Sequence, residues 1–402
     1  MDNFFKAVKI SEHVWWVGAV DWNVRNFHGY LTQRGTTYNA FLIIDEKITL
    51  IDTVKSAFAG EMLERIASVI PVEKIDYIVS HHAEPDHSGA LPQIIAATKP
   101  EKLFASAFGA KTLKAYYDLE AEVVPDGSTL SLGKGELAFV ETRMIHWPDS
   151  MVSFYNADGI LFSQDAFGMH LAGSKLFADE YDKSVLEYEA RKYFANIINN
   201  QATKVLATVE SLKAMNLDIR CIAPDHGPLF RQEFEWIFDL YADCCLQKPK
   251  ARAAVIYATM WHSTEKLAAA FADGVREAGV PVTMLDLNVN DRSAAMTEVA
   301  LSGLVAFGTP TMNNQMFPAM ADIMTYVKGL KPRNKIGFAF GSCGWSGEGA
   351  KQLTALLTEM GMEQPCAMLQ SKYRPTREEL LTARANGKAC AEALLAKCAA
   401  EN

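Results

Sequence analysis

One short stretch places four potential metal ligands within six residues, namely His82, Glu84, Asp86 and His87. The apolar run 75–79 leads directly into them and predicts a buried strand that ends where they begin. Pro85 and Gly89 predict a loop here rather than regular helix or sheet. Spacing of i, i+2 can aim two side chains the same way, and the adjacent Asp86–His87 pair can serve a second centre. The pattern favours a metal site over a polar corner after a strand.

Three more potential ligands follow apolar runs later in the chain, and they are His146, Asp165 and His226. A lone aspartate at a strand end is more often a cap or turn residue, and a lone histidine is more often a satisfied core group. Here, however, a ligand-type residue stands at the end of an apolar run several times in one chain. We therefore expect one strand edge to bring all of these residues to one site.

The first part of the chain reads as strands interrupted by a few helices. Apolar runs predict strands at 14–18, 38–44, 48–52, 103–105, 121–124, 137–140, 151–155, 160–163 and 219–223. Residues 156–159 have the composition of a turn, so the two runs on either side predict a hairpin. Helical spacing predicts helices at about 57–69, 91–98, 184–196 and 202–215.

The composition changes after the polar stretch 247–250, which predicts domains at 1–249 and 250–402. Beyond it, strands and helices alternate, beginning with a helix at about 264–277. The predicted strands are 253–257, 282–285, 303–307, 336–340 and 366–369. Such alternation is typical of a doubly wound α/β domain with a five-stranded parallel sheet.

Three loops at the carboxyl ends of these strands stand out, at 259–264, 308–314 and 341–347. Each loop alone is typical of a helix N-cap followed by a polar loop. Together, at the edge where such sheets bind ligands, they resemble the FMN site of flavodoxins, and no G-x-G-x-x-G motif indicates a dinucleotide. The candidate cofactor residues are Thr259, Met260, Trp261, His262, Ser263, Thr264, Pro310, Thr311, Asn313, Asn314, Ser342, Gly344, Trp345 and Gly347.

Composition excludes several classes of protein. The 402 residues carry a net charge of −9 without a basic stripe, which argues against nucleic acid as a partner. No apolar run reaches the roughly 18 residues of a membrane span, and the N-terminus lacks a signal-peptide pattern. Seven cysteines without a framework of spacings fit reduced thiols, so we expect a cytoplasmic protein.

The motif H-x-E-x-D-H at 82–87, followed by a spaced His, Asp and His, resembles the metallo-β-lactamase-like domain of flavodiiron proteins. Hydrolases of that fold carry H-x-H-x-D-H, so Glu84 replaces their second histidine, and such carboxylate-rich sites suit iron. The resemblance implies an αββα domain followed by a flavodoxin-like domain, and His81 is an adjacent alternative to His82. The implied ligands are His82, Glu84 and His146 on one iron, Asp86, His87 and His226 on the other, and Asp165 between them.

The resemblance also implies a function. It implies an oxidoreductase that reduces dioxygen to water, nitric oxide to nitrous oxide, or both, at a diiron site that FMN supplies with electrons from a rubredoxin-like carrier. It further implies a head-to-tail homodimer or a dimer of dimers. Tyr193 matches a family position near the diiron pocket and could donate a hydrogen bond or proton, although simple helix packing explains it equally well. The alternatives are a binuclear metallo-hydrolase, against which Glu84 argues, and a non-catalytic electron carrier or redox sensor.

A group of basic residues accompanies the predicted flavin loops in an otherwise acidic chain. We expect it to dock an acidic electron carrier, whereas a solvated face of mixed charge is the alternative. The group comprises Lys331, Arg333, Lys335, Lys351, Lys372 and Arg374.

Overall fold

The computed structural model describes residues 4–401, which divide into two compact units. The first unit comprises residues up to 27 with 32–193 and 201–242, and the second comprises 28–31, 194–200 and the residues from 243 onwards. The boundary between 249 and 250 stays a prediction. Among residues 4–401, no helix is long and apolar enough to cross a membrane.

Strands dominate the chain before residue 250. They are β1 (Val8–Lys9), β2 (Val14–Trp16), β3 (Ala19–Asp21), β4 (Asn26–Phe27), β5 (Tyr30–Leu31), β6 (Thr36–Tyr38), β7 (Phe41–Ile43), β8 (Thr49–Ile51), β9 (Tyr77–Ser80), β10 (Lys102–Ala105), β11 (Glu122–Val123), β12 (Thr129–Ser131), β13 (Glu136–Glu141), β14 (Met151–Tyr155), β15 (Ile160–Gln164) and β16 (Cys221–Pro224). The helices are α1 (Ala59–Ala67), α2 (Pro85–Ser88), α3 (Leu91–Thr98), α4 (Ala107–Tyr117), α5 (Lys183–Tyr193), α6 (Ala202–Ala214) and α7 (Glu235–Leu246). Shorter turns are 3₁₀ at Ser56–Phe58, Val72–Lys74, Ala178–Glu180 and Asn199–Gln201, and π-helical at Phe194–Ile198.

Two mixed sheets pack face to face in the first unit. One has the strand order β1-β2-β7-β8-β9-β10-β11, and the other has the order β12-β13-β14-β15-β16. Their inner faces share one apolar core, in which Phe41 packs on Phe162 with ring centroids 5.2 Å apart. A second core packs the first sheet against helices through residues such as Met62 and Ile94, while Leu212 of α6 covers the second sheet. These layers give the αββα arrangement of the metallo-β-lactamase-like fold, as the resemblance implies.

The prediction that residues 82–89 are irregular is wrong for Pro85–Ser88, which form α2. Proline is favourable at the first helical position, because its missing N–H would have no intrahelical partner there and its φ already suits a helix. Glu84 at the N-cap is extended, with φ −62° and ψ 138°. The helical turn matters for the site, because it buries both Asp86 and His87.

A single sheet organises the second unit. Its strands are β17 (Ala253–Tyr257), β18 (Val282–Asp286), β19 (Leu304–Met312), β20 (Gln315–Met316), β21 (Ile336–Cys343) and β22 (Leu369–Lys372). Its helices are α8 (Ser263–Glu277), α9 (Arg292–Leu301), α10 (Pro318–Leu330), α11 (Glu348–Glu359) and α12 (Arg377–Ala400).

The order β18-β17-β19-β21-β22 is parallel throughout, and β20 pairs antiparallel with β19. Helices α8 and α12 cover one face, and α9, α10 and α11 cover the other, which is the doubly wound flavodoxin-like topology. The fifth strand begins at Leu369, not at the predicted residue 366. Cys366 instead packs beside the α12 core residue Cys390, so its apolar character reflects helix contact rather than a strand.

Candidate metal centre and cofactor pocket

The seven predicted metal ligands meet where strands of the first unit end. Strand β9 leads to His82 and Glu84, and the first turn of α2 adds Asp86 and His87. The other three follow β13, β15 and β16, and all seven gather in two groups whose ligand atoms lie within 4.8 Å of one another. The groups are His82, Glu84, His146 and Asp165 in one, and Asp86, His87 and His226 in the other.

Asp165 faces both groups with different oxygens. Its Oδ2 lies 3.0 Å from Nε2 of His146 and 3.8 Å from Nε2 of His82. Its Oδ1 lies 3.4 Å from Nε2 of His87 and 3.6 Å from Nε2 of His226. This geometry is that of a carboxylate that could bridge two cations, one in each group.

Within each group, a carboxylate oxygen also lies close to two imidazole nitrogens. Glu84 Oε2 lies 3.2 Å from Nε2 of His82 and 3.1 Å from Nε2 of His146. Asp86 Oδ2 lies 3.2 Å from the Nε2 atoms of both His87 and His226. Apart from His146, whose side chain is 19% exposed, the predicted ligands are buried.

Opposite charges set the protonation of the groups. Burial alone would lower the pKa of His82, but Asp149 and Glu84 raise that pKa to about 10. Burial is likewise outweighed at His146, where Asp165 and Glu84 raise the pKa to about 9. In return, the neighbouring imidazoles hold the pKa of Asp165 well below its ordinary value despite its burial. The carboxylate is therefore ionised at neutral pH, the form in which it binds cations.

The structure places the adjacent histidines 81 and 82 in different surroundings. The His81 ring turns away from the cluster, with Nδ1 2.6 Å from Asp52 Oδ2 and Nε2 2.9 Å from Ser153 Oγ. Its backbone N–H also donates to Asp52 Oδ1 at 2.7 Å. Both histidines follow the end of β9, and the contacts of His81 with Asp52 and Ser153 keep its buried ring out of the ligand group that His82 joins.

An outer layer of acceptors, which the motif did not reveal, orients the imidazoles. Asp149 Oδ2 lies 3.1 Å from Nδ1 of His82, and Nδ1 of His226 donates to the Thr37 carbonyl at 2.6 Å. Such partners fix which nitrogen faces a metal. Asp149 stands three residues after His146 in the same loop. An acidic residue so close to a candidate ligand is the sequence feature that could have indicated this partner.

Tyr193 and His170 form an aromatic wall beside the second group. The His170 ring lies 4.7 Å from that of His226 and 5.0 Å from that of Tyr193, while the Tyr193 and His226 rings are 6.2 Å apart. On the other side, the ring of Trp147 lies 5.1 Å from that of His82. The structure thus places Tyr193 near the cluster, and burial raises the pKa of its hydroxyl well above the ordinary value.

The three predicted loops of the second unit surround a cavity of about 940 Å³. Of the candidate cofactor residues, ten line it: Met260, Trp261, Ser263, Pro310, Thr311, Asn313, Asn314, Ser342, Gly344 and Trp345. The others, Thr259, His262, Thr264 and Gly347, are not among its lining residues. The cavity is also lined by Cys343 and Ser346, which belong to the predicted loop 341–347, and by Arg374 of the predicted basic group. Two further lining residues, Lys266 and Tyr373, were not predicted.

Two of the residues that do not line the cavity hold the lining residues in place. His262 adopts a left-handed conformation, with φ 62°, as the N-cap of α8, so the helix begins at the cavity residue Ser263. The buried hydroxyl of Thr264 lies 2.9 Å from that of Ser342 and ties the first loop to the third. A helix N-terminus in a cavity that exposes the rings of Trp261 and Trp345 suits a phosphate attached to a flat ring system.

The prediction that the six basic residues form a single patch is wrong. Residues 331–335 precede β21 and lie at the amino edge of the sheet, whereas the cavity lies at the carboxyl edge. Lys335 is buried, and its ammonium donates to the carbonyls of Ala300 at 3.1 Å and Ser302 at 2.7 Å. Neighbours in sequence therefore occupy opposite ends of a strand, and of the six only Arg374 lines the cavity.

Comparisons with known proteins agree with the folds of both units. A family model described as "ODP family beta lactamase" matches residues 36–227, and one described as "Flavodoxin" matches residues 255–387. The chain is 44% identical to the rubredoxin-oxygen oxidoreductase of Megalodesulfovibrio gigas, across 98% of this chain and 100% of that protein.

Two further relatives extend the likeness. The nitric oxide reductase of Moorella thermoacetica is 39% identical, across 89% of this chain and 91% of that protein. The solved flavodiiron protein of Giardia intestinalis is similar with a TM-score of 0.95 and 32% identity, across 100% of this chain and 99% of the other.

Proposed function

Because this chain belongs to the flavodiiron protein family, we propose that it reduces dioxygen to water, nitric oxide to nitrous oxide, or both, with electrons from a rubredoxin-like carrier. The observation that carries the proposal is the pair of ligand groups facing one shared carboxylate, Asp165, in a chain with a separate flavodoxin domain. Glu84, where hydrolases of this fold carry a histidine, disfavours the hydrolase alternative.

The chain's residues fit the family's cofactors, two iron ions and FMN. Four imidazoles and three carboxylates suit iron, and the buried Oδ1 of Asp86 accepts no hydrogen bond from any described residue, as expected of a ligand atom. We assign His82, Glu84 and His146 to one ion, Asp86, His87 and His226 to the other, and Asp165 to both. When bound, two ferrous ions and one reduced FMN hold the four electrons that convert dioxygen into two waters.

The protein supplies orientation, exclusion of water and protons. Asp149 and the Thr37 carbonyl hold the two imidazoles that they contact in one tautomer. The rings of Trp147, His170 and Tyr193 pack beside the imidazoles of the cluster and limit the contact of these imidazoles with solvent. A tyrosine hydroxyl is protonated at neutral pH, and burial raises the pKa of Tyr193 further, so this hydroxyl can donate a hydrogen bond to a gas molecule.

Analysis of metal and flavin content, followed by anaerobic assay, tests the proposal. The purified chain should hold about two irons and one FMN, and the reduced protein should consume dioxygen or nitric oxide. Zinc in place of iron with hydrolytic turnover would favour the hydrolase. Iron and FMN without gas consumption would favour the electron carrier or redox sensor.

We further propose a homodimer or dimer of dimers in which the FMN of one chain serves the diiron site of its partner. Complementation tests this assembly. Asp165→Ala should lose iron but keep FMN, and a chain altered at Ser263 and Thr264 should lose FMN. Neither variant alone should reduce gas, whereas a head-to-tail heterodimer keeps one intact pair and should regain activity. Verified heterodimers that stay inactive would exclude transfer between subunits.

Two minor proposals complete this description. Domains at 1–249 and 250–402 are supported by family matches that end at residue 227 and begin again at residue 255. A cytoplasmic location is supported by the seven cysteines, all of which are free thiols.

A further inference from the structure

Helix α5 carries a buried polar stripe that the metal site does not explain. Glu189, Lys192 and Tyr193 follow one another at i, i+3 and i+4, which puts them on one face of the helix. Their exposed fractions are only 3%, 1% and 2%. Glutamate and lysine are almost never buried this fully unless they are paired, so the groups that surround the stripe are informative.

The outer end of the stripe reaches solvent through Arg34. The Arg34 side chain is 52% exposed, and its Nε lies 3.2 Å from Oε1 of Glu189, whose side chain is 4% exposed. Burial raises the pKa of Glu189, although the charges of Lys192 and Arg34 oppose that effect. The Arg34 side chain thus lies between the buried carboxyl group of Glu189 and bulk water.

The inner end of the stripe reaches the wall of the metal site. Lys192 precedes Tyr193 directly, and its positive charge acts on the ring of His170. The Nδ1 atom of His170 lies 2.9 Å from Oγ1 of Thr36, which in turn lies 3.3 Å from Nδ1 of His226. Arg34 and Glu189 thus lead from the surface to the helix face that carries Lys192 and Tyr193. His170 and Thr36 lead from the wall to the layer behind a proposed iron ligand.

Gas reduction needs such a connection. Every dioxygen reduced to water consumes four protons, and the proposed ligands are buried apart from His146. We propose that Glu189 and Lys192 conduct protons from solvent at Arg34 to the wall formed by His170 and Tyr193. This inference rests on the proposed function, which supplies the electrons and consumes the protons.

Each transfer in this relay moves a single proton. An N–H bond of the Lys192 ammonium breaks and its proton ends as an O–H bond of the product water. The N–H bond re-forms as the O–H bond of the Glu189 carboxylic acid breaks. A hydronium ion of the solvent beside Arg34 then protonates the Glu189 carboxylate and becomes water. Glu189 and Lys192 touch neither iron nor gas, so both are proton-transfer residues rather than catalytic ones.

Glu189→Gln tests the relay, because glutamine keeps the size of the side chain and an acceptor for Arg34 but cannot release a proton. Glu187→Gln is the matched control, since Glu187 lies on the same helix, is 46% exposed and pairs with Lys183 at 4.0 Å. In the iron- and FMN-loaded full chain, single-turnover gas reduction should slow ~10²-fold in Glu189→Gln. Its solvent deuterium isotope effect should rise and its pH profile should shift. Glu187→Gln should match the unaltered chain, and Glu189→Asp should restore part of the rate.

Unchanged kinetics in Glu189→Gln would overturn the inference. So would a slower rate with an unchanged isotope effect and pH profile, because that outcome marks a structural role. A second readout needs no activity: carboxyl ¹³C resonances of the metal-free, unaltered chain should include a glutamate with a raised pKa that is missing in Glu189→Gln. An ordinary pKa at this glutamate also refutes the relay. Failure of the loaded, unaltered chain to reduce gas would instead refute the proposed function.

Discussion

Asp149 allows the outer layer of the metal site to be tested quantitatively. Its Oδ2 serves two buried groups at once, accepting from the Ala83 N–H at 2.6 Å and lying 3.1 Å from Nδ1 of His82. Losing the carboxylate partner of a ligating histidine weakens metal binding by roughly 10- to 100-fold, or about 1.4–2.8 kcal/mol. We expect Asp149→Ala to reach the upper end, because both groups lose their acceptor. Asp149→Asn should lie near the lower end, because its neutral amide oxygen still accepts from Ala83.

Anaerobic competition with a coloured ferrous chelator measures the effect, and FMN content should not change. Asp158→Ala is the matched control. The Asp158 carboxylate likewise accepts from a backbone N–H, that of His13 at 2.8 Å, and lies 2.8 Å from Nδ1 of the same histidine, outside both ligand groups. Equal iron retention in Asp149→Ala and Asp158→Ala would refute the orienting role.

Two further predictions concern the second unit. Burial lowers the pKa of Lys335 from 10.5 to about 7, so the folded chain binds fewer protons than the unfolded chain between these values. The free energy of unfolding should therefore rise with pH in that window, by at most about 1.4 kcal/mol per pH unit, and Lys335→Met should flatten the rise in urea titrations. An unchanged slope would contradict this reasoning. Charge reversal at the cavity residues Lys266 and Arg374 should slow oxidation of an acidic donor several-fold at low salt. Reversal at Lys331 and Arg333, at the opposite sheet edge, should have no such effect in stopped-flow assays, and equal slowing by both pairs would argue against docking at the cavity.

The residues of the metal centre could be predicted because their signal is local. A strand that ends in a ligand is recognisable within about ten residues, and parallel strands bring such ends to one edge. The same rule predicted the three loops of the flavodoxin-like sheet, ten of whose candidate residues line the cavity.

Long-range partners explain what the sequence could not reveal. Asp52 holds His81 from 29 positions away, and Asp149 reaches back 67 positions to His82. No periodicity encodes such pairs. The prediction of a single basic patch failed for a related reason, because the length of β21 separates residues 331–335 from the cavity. Helix α2 was not predicted because proline can begin a helix as well as prevent one.

The ligand groups take their members from both sheets of the first unit. Residues 82–87 follow β9 of the seven-stranded sheet, whereas Asp165 and His226 follow β15 and β16 of the other. Iron bound by these groups would therefore link the two sheets, and its binding free energy would stabilise the first unit. Without iron the two sheets rely on their shared apolar core alone, so a protease should digest the first unit faster than in the iron-loaded chain, whereas digestion of the flavodoxin-like unit should not change. Metal supply would then influence the lifetime of the enzyme as well as its activity.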